Sequence, residues 1–258
     1  MKLKTNLHLH TKEDPLDGED WKKIVTYSIY ELIDYAHKLD FKVLAFTSHL
    51  KFVYKKEYGE YAKSKGLLLI PGIEIELKEI FFEKHVLVLN CDKSVEKIKT
   101  FKELVEYKKN HPEIFIIAPH PDFGFIYSIG LKNLRKYIDL FDAIEYSWFY
   151  SKIFNLNKGG ESVAREFKKP FIATSDTHVL GNLKYDYAVI EADDLSIQSV
   201  FKAIRESRFT NVTEEKDTID LIKYQLKTNL RMVRGYLENP VKHFLFKIYG
   251  LSKNWKSG

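Results

Sequence analysis

Six of the nine histidines in this 258-residue chain stand in short polar clusters beside apolar runs. They are His8 and His10 in Asn6-Leu-His-Leu-His, His49 in Thr47-Ser-His, His85 opening His-Val-Leu-Val-Leu-Asn, His120 in Ala118-Pro-His-Pro, and His178 in Ser175-Asp-Thr-His. Neutral imidazole is a ligand for Zn, Mn and Fe, and interleaved carboxylates extend the set toward harder ions. Glu74 lies in Pro71-Gly-Ile-Glu-Ile-Glu, where strand alternation puts Glu74 and Glu76 on one face. Asp176 precedes His178 by two residues, so both can reach one mouth, and Glu13, Asp14 and Asp17 follow His10. A carboxylate can bridge two cations through its two oxygens, which an imidazole cannot. A catalytic zinc takes about three protein ligands and a structural one four. Six histidines with these acids are enough for two or three ions, so the chemistry expected is that of a multinuclear metal site.

The elements that must hold these groups follow a strand–helix alternation. The expected strands are Lys4–Leu9, Phe41–Phe46, Leu67–Ile75, His85–Leu89, Ile114–Ala118, Ala143–Tyr146, Phe171–Thr174 and Tyr187–Glu191. Between them, Ile29, Leu32, Ile33, Ala36 and Leu39 recur at helical spacing over Ser28–Leu39. A second helix covers Val53–Lys65 and stops at Gly66, and Ser94 is read as the N-cap of a helix reaching Lys109. Further helices are expected near 131–138, 156–167 and 196–206. Near-continuous apolar strands between helices indicate a parallel sheet covered on both faces. An open doubly wound sheet would gather its ligands at one switch point, whereas here polar clusters end almost every strand. A closed α/β barrel, which carries its chemistry at the C-terminal mouth, fits better.

Composition narrows the class. The length suits one large domain, and 45% hydrophobic with 30% charged residues is a globular balance. No apolar run approaches the roughly twenty residues of a membrane span. Cys91 is the single cysteine, so no internal disulfide forms, and the first residues show no apolar leader; a cytoplasmic location is expected. Residues 222–258 carry eight Lys and Arg against Glu238 alone, a net of +7 that leaves the remainder near −2. The tail is therefore read as a separate element, which divides the chain at 1–215 and 216–258.

His8-x-His10, Thr47-Ser-His49, Pro71-Gly-x-Glu74, His85, Pro119-His120-Pro121 and Asp176-x-His178 together resemble the ordered motifs of the PHP (polymerase and histidinol phosphatase) family over residues 5–180. The resemblance implies a distorted (β/α)7 barrel, here with a C-terminal helical extension, and hydrolysis of a phosphoester by a metal-bridging hydroxide at a trinuclear centre. It implies His8, His10, Glu74 and Asp176 on one metal, with Glu74 bridging to a second held by His85 and His120. His49 and His178 would hold a third with an acid from the following loop, Asp17 by preference or Asp14. Glu74, Asp176 and His10 are the expected catalytic residues, and the expected cofactors are up to three divalent ions of Zn, Mn or Fe. Two positions depart from the family pattern: Asn6 stands where many members have Asp, and Ser48 where Asp or Asn precedes the histidine.

The substrate expected is a small phosphorylated molecule or a short nucleic-acid end, with no membrane partner. The alternative is a metal-bound barrel serving as a non-catalytic binding or regulatory module. In the tail, Ile219, Ile222, Leu226, Leu230, Val233 and Leu237 recur at three- and four-residue spacing. This stripe is expected to dock on the barrel or on a second subunit. Lys223, Lys227, Arg231 and Arg234 then face water, and a second short helix covers Val241–Tyr249.

Overall fold

The apolar strands of this chain bury both of their faces, and the alternation of their side chains divides the core in two. In a computed structural model, which describes residues 1–16, 24–78, 83–123 and 127–224 with Leu226 and Leu230, the order is as follows. Strands β1 (Lys2–Asn6), β2 (Val43–Phe46), β3 (Leu68–Lys78), β4 (Glu83–Leu89) and β5 (Phe115–Ala118) lead to β6 (Ala143–Tyr146), β7 (Phe171–Ala173), β8 (Tyr187–Glu191) and β9 (Phe209–Val212). Between them lie α1 (Ile29–Lys38), α2 (Lys56–Ser64), α3 (Phe101–Asn110), α4 (Leu131–Lys136), α5 (Asn157–Glu166) and α6 (Ile197–Arg205). Val43, Ala45, Leu87, Leu89, Phe115 and Ile117 share one interior cluster, which Phe201 and Ile204 of α6 also join. The intervening Leu44 and Phe46 pack with α1 and α2, and Val86, Val88, Ile116 and Ala118 pack with α3.

Helix starts are set by local chemistry. Ser28 and Glu31 form a capping box at α1, whose Ile29, Leu32, Ile33 and Ala36 are buried. The helix expected from Ser94 divides instead. Asp92 caps a 3-10 turn over Lys93–Lys97, and α3 begins afresh at the Thr100–Glu103 capping box. Ile98, in extended backbone, separates the two.

The strands lie in the order β7-β6-β5-β4-β3-β2-β1-β8-β9, a nearly closed barrel-shaped sheet. It is not wholly parallel, as the strand–helix reading expected. β4 pairs antiparallel with both β3 and β5, and β8 antiparallel with β1 and β9. The reason is connection length, since only residues 79–82 separate β3 from β4, far short of the dozen or so residues a crossover needs. Reversal puts the start of β4, and with it His85, level with Glu76 in the outer part of β3. β9 meets β7 through one side chain: Asn211 Oδ1 accepts the Ala173 N–H at 2.8 Å, and its Nδ2 donates to Phe171 O at 2.8 Å.

The tail begins on the barrel. Lys216 Nζ lies 2.6 Å from the buried Asp186 carboxylate, and Leu221 and Tyr224 pack on Trp148 and Phe149. The expected stripe does not make this contact, because Ile219, Ile222, Leu226 and Leu230 are all more than half exposed, at 61%, 52%, 57% and 69%. Leu221 takes their place at 2% exposure, since the aromatic pair after β6 offers a socket to that face of the segment. Lys227, Val233, Arg231, Arg234, Leu237 and the helix expected over 241–249 lie outside the described residues. No described helix is long and apolar enough to cross a membrane.

Candidate metal centre

Apart from His85, which is paired within β4, each histidine of these clusters lies past a strand tip because the chain leaves the sheet there and is held by short polar links. After β1, Leu9 bridges to Thr177 while Thr47 Oγ1 accepts the Leu9 N–H at 2.9 Å, so Leu7 and Leu9 turn into the core. His8 and His10 take the intervening positions with no exposed surface. Asn6 Oδ1 accepts the N–H groups of His8 and Ser175, both at 3.3 Å, tying the first strand to the Asp176 loop. Past β2, His49 bridges to Glu74, and Leu50 N donates to Glu74 O at 2.9 Å. Glu74 thus stands mid-strand in β3 yet level with the tip of β2.

Five imidazoles converge on this one carboxylate. Oε2 of Glu74 lies 3.1 Å from His8 Nε2, 3.1 Å from His49 Nε2 and 3.4 Å from His10 Nε2. Oε1 lies 2.6 Å from His85 Nδ1 and 3.2 Å from His120 Nε2. A second carboxylate, Asp176, sets its Oδ1 3.2 Å from His10 Nε2, 3.4 Å from His8 Nε2 and 3.5 Å from His178 Nδ1. The His178 ring stacks on His10 at 4.5 Å. Asp176 and His120 both hold positive φ, 42° and 28°, a conformation uncommon for residues with a Cβ. Strain of this kind clusters at sites where surrounding structure enforces a geometry.

Asp14 also joins the group, behind two of the rings. Its Oδ2 is 2.9 Å from both His10 Nδ1 and His49 Nδ1 and accepts the His49 N–H, while Oδ1 accepts from Leu16 N. The other loop acid, Asp17, lies outside the described residues. So His8, His10, Asp14, His49, Glu74, His85, His120, Asp176 and His178 share one cluster. Glu76 adjoins it, 3.6 Å from His85 Nε2. Lys51 and Arg165 pair elsewhere, with Glu96 and Glu161.

Sequence reasoning missed Glu145. This carboxylate, third in β6, has no exposed surface and lies 3.2 Å from His8 Nδ1. The available signal was its setting, a charged residue in a strand otherwise buried on both faces, where an ion must find partners.

The electrostatics follow from packing acids and imidazoles together in a largely buried space. Burial alone would lower the His8 pKa, but Asp176, Glu74 and Glu145 outweigh it and hold the ring well above its ordinary value. Burial likewise opposes charge on His10 and His85, yet Asp14 and Asp176 raise the first to about 10, and Glu74 and Glu76 raise the second to about 9. Against their own burial, the imidazoles hold Glu74, Asp176 and Asp14 well below the usual carboxylate range. The acids demand nearby positive charge, and protonated rings supply it.

Divalent cations fit the same demand. Among the described residues, His120 Nδ1 is buried without a hydrogen-bond partner, and His10 Nε2 and His85 Nε2 face carboxylate oxygens of Asp176 and Glu76 at 3.2 Å and 3.6 Å without a well-formed hydrogen bond. The sets His8–Glu74–His120, His8–His10–Asp176 and His10–His49–Glu74 each bring their donor atoms within 4.8 Å of one another. Nitrogen and carboxylate oxygen without thiolate is a donor set for Zn, Mn or Fe.

No curated protein matches the sequence. Residues 155–209 match a family model described as PHP-associated. A two-domain protein from Bacteroides vulgatus containing a predicted PHP-like metal-dependent phosphoesterase aligns with a TM-score of 0.62 at 18% identity, over 88% of this chain and 70% of that one. PsfC from Pseudomonas syringae aligns at 0.58 and 14% identity, over 90% and 98%. The lesion-specific endonuclease PfuEndoQ from Pyrococcus furiosus aligns at 0.55 and 14% identity, over 80% of this chain and 56% of its own. At these identities the likeness is one of fold.

Proposed function

We propose that this chain, a PHP-domain protein by its PHP-associated segment and its fold, hydrolyses a phosphoester with up to three divalent transition metals held at its strand tips. The observation that carries this reading is the division of Glu74. One oxygen faces His8, His10 and His49, and the other faces His85 and His120, as expected of a carboxylate that bridges two ions. His8, His10, Glu74 and Asp176 hold the first ion, and Glu74, His85 and His120 the second. His49 and His178 hold the third with an acid from the loop after His10. Asp14 already accepts from both Nδ1 atoms behind His10 and His49, which favours Asp17 for the ion and leaves Asp14 to orient the rings.

Zn, Mn or Fe bound there would lower the pKa of water to supply hydroxide and would neutralise charge on the phosphoryl group. The chain's own part is to orient donors and admit substrate from one side. His8, His10 and Glu145 are closed to solvent, whereas the side chains of Asp176, His178 and His120 are 20%, 13% and 11% exposed. Substrate therefore approaches past Asp176 and His178, and Glu74, Asp176 and His10 lie nearest the reacting group. A small phosphomonoester, a nucleotide or an oligonucleotide end is the substrate class; the fold shared with an endonuclease supports including nucleic acid. The test is a panel of phosphomonoesters, phosphodiesters and oligonucleotides with added Mn or Zn. Metal-dependent cleavage is expected, abolished in folded His8→Ala and Asp176→Ala variants. No cleavage by metal-loaded wild type would instead favour a non-catalytic binding module.

A further inference from the structure

Glu145, like Asp14 and Glu76, is a carboxylate at the cluster that the proposed ligand sets leave unused. Its Oε2 accepts the His120 backbone N–H at 2.9 Å and lies 3.2 Å from His8 Nδ1, while Oε1 accepts the Thr174 hydroxyl at 2.7 Å. These partners come from the ends of three separate strands. The other nitrogen of His8, Nε2, faces Glu74 at 3.1 Å and Asp176 at 3.4 Å. His8 is thus held between Glu145, which also accepts the His120 N–H and the Thr174 hydroxyl, and the shared acids of the centre.

We propose that Glu145 is a positioning residue, resting on the metal-dependent reading above. By accepting from His8 Nδ1–H it fixes the tautomer in which Nε2 is the lone-pair nitrogen turned to the centre. By accepting the His120 N–H it holds that residue at its φ of 28°, from which the ring reaches Glu74 at 3.2 Å. One buried carboxylate therefore orients a donor from each of two proposed ion sites. A carboxylate on the far nitrogen of a ligating imidazole is a recurrent arrangement, and its loss typically weakens metal binding about 10–100-fold.

The experiment compares wild type, Glu145→Gln and Glu145→Ala by zinc competition against a chromophoric chelator, with circular dichroism for the fold and ¹⁵N-edited spectra for His8. Glu145→Gln keeps the shape and one acceptor oxygen and is expected to bind zinc about tenfold more weakly. Glu145→Ala is expected to lose about 100-fold. In zinc-loaded wild type, His8 is expected in one tautomer with a protected Nδ1 proton, which Glu145→Ala exposes to exchange. If Glu145→Ala does not fold, the Gln variant decides alone. Either folded variant matching wild type in zinc affinity and in the His8 spectrum overturns this inference and leaves the metal reading standing. A wild type that takes up no zinc overturns both.

Discussion

Both oxygens of Glu74 face imidazoles, and without a cation those rings must themselves carry the compensating charge. His10 and His85, raised to about 10 and about 9 by neighbouring carboxylates, are protonated at neutral pH. A ligating imidazole must be neutral, so metal uptake displaces protons. Titrating the metal-free protein with zinc at pH 7 in two buffers of different ionisation enthalpy should give heats that differ by at least one proton per chain. Equal heats would mean that the rings do not bind the ion. These residues were legible in the sequence because each stands as a polar break in an apolar context. Glu145 was not, since Ala143-Ile-Glu-Tyr146 reads as ordinary strand alternation until β6 is known to be covered on both faces. Nor does spacing alone show that Asp14 approaches its rings from the rear, on Nδ1.

At the level of elements, positions were legible and directions were not. Apolar runs located β2, β5, β6 and β8 to within a residue or two. The reversal of β4 was hidden, because a buried antiparallel strand and a buried parallel strand have the same composition. The shortness of the 79–82 connection was the signal for it, and it explains why His85 lies near the start of its strand while the other site histidines follow theirs. Closure by Asn211 was equally hidden, since a carboxamide standing in for a strand peptide leaves no periodicity. Asn211→Leu removes the partners of Ala173 N–H and Phe171 O. It should cost roughly 1–3 kcal/mol, the usual penalty for stranding such groups. Chemical denaturation of the metal-free protein would measure it, and an unchanged midpoint would remove Asn211 from the closure. In the tail, the spacing of Ile219, Ile222, Leu226 and Leu230 defined an apolar face, but the aromatic socket at Trp148 and Phe149 receives Leu221 instead.

For the whole molecule, the same charges set how stability depends on pH. His10 and His85 have folded values above their ordinary 6.5, so their contribution is complete below about pH 6.5 and is lost as pH rises through about 9 to 10. Glu74 and Asp176 are depressed from 4.5 and 3.8, so theirs is present above those values and lost as pH falls through the lowered ones. The metal-free protein should therefore melt highest between about pH 5 and 6.5 and soften toward pH 9. Bound metal should reverse the alkaline loss, because the ions replace the protons as counter-charge. Thermal melts from pH 5 to 9, with and without zinc, would show it, and a zinc-induced gain that shrinks as pH rises would contradict it. The barrel, its covering helices and its tip residues thus hold together a largely buried cluster of acids whose charge protonated rings or cations must balance. Elemental analysis of gently purified protein addresses that claim most directly, with Glu74→Gln alongside. The expected result is more than one transition-metal ion per wild-type chain and a sharp fall in the variant. One ion or none, unchanged by the substitution, would contradict a multinuclear centre bridged by Glu74.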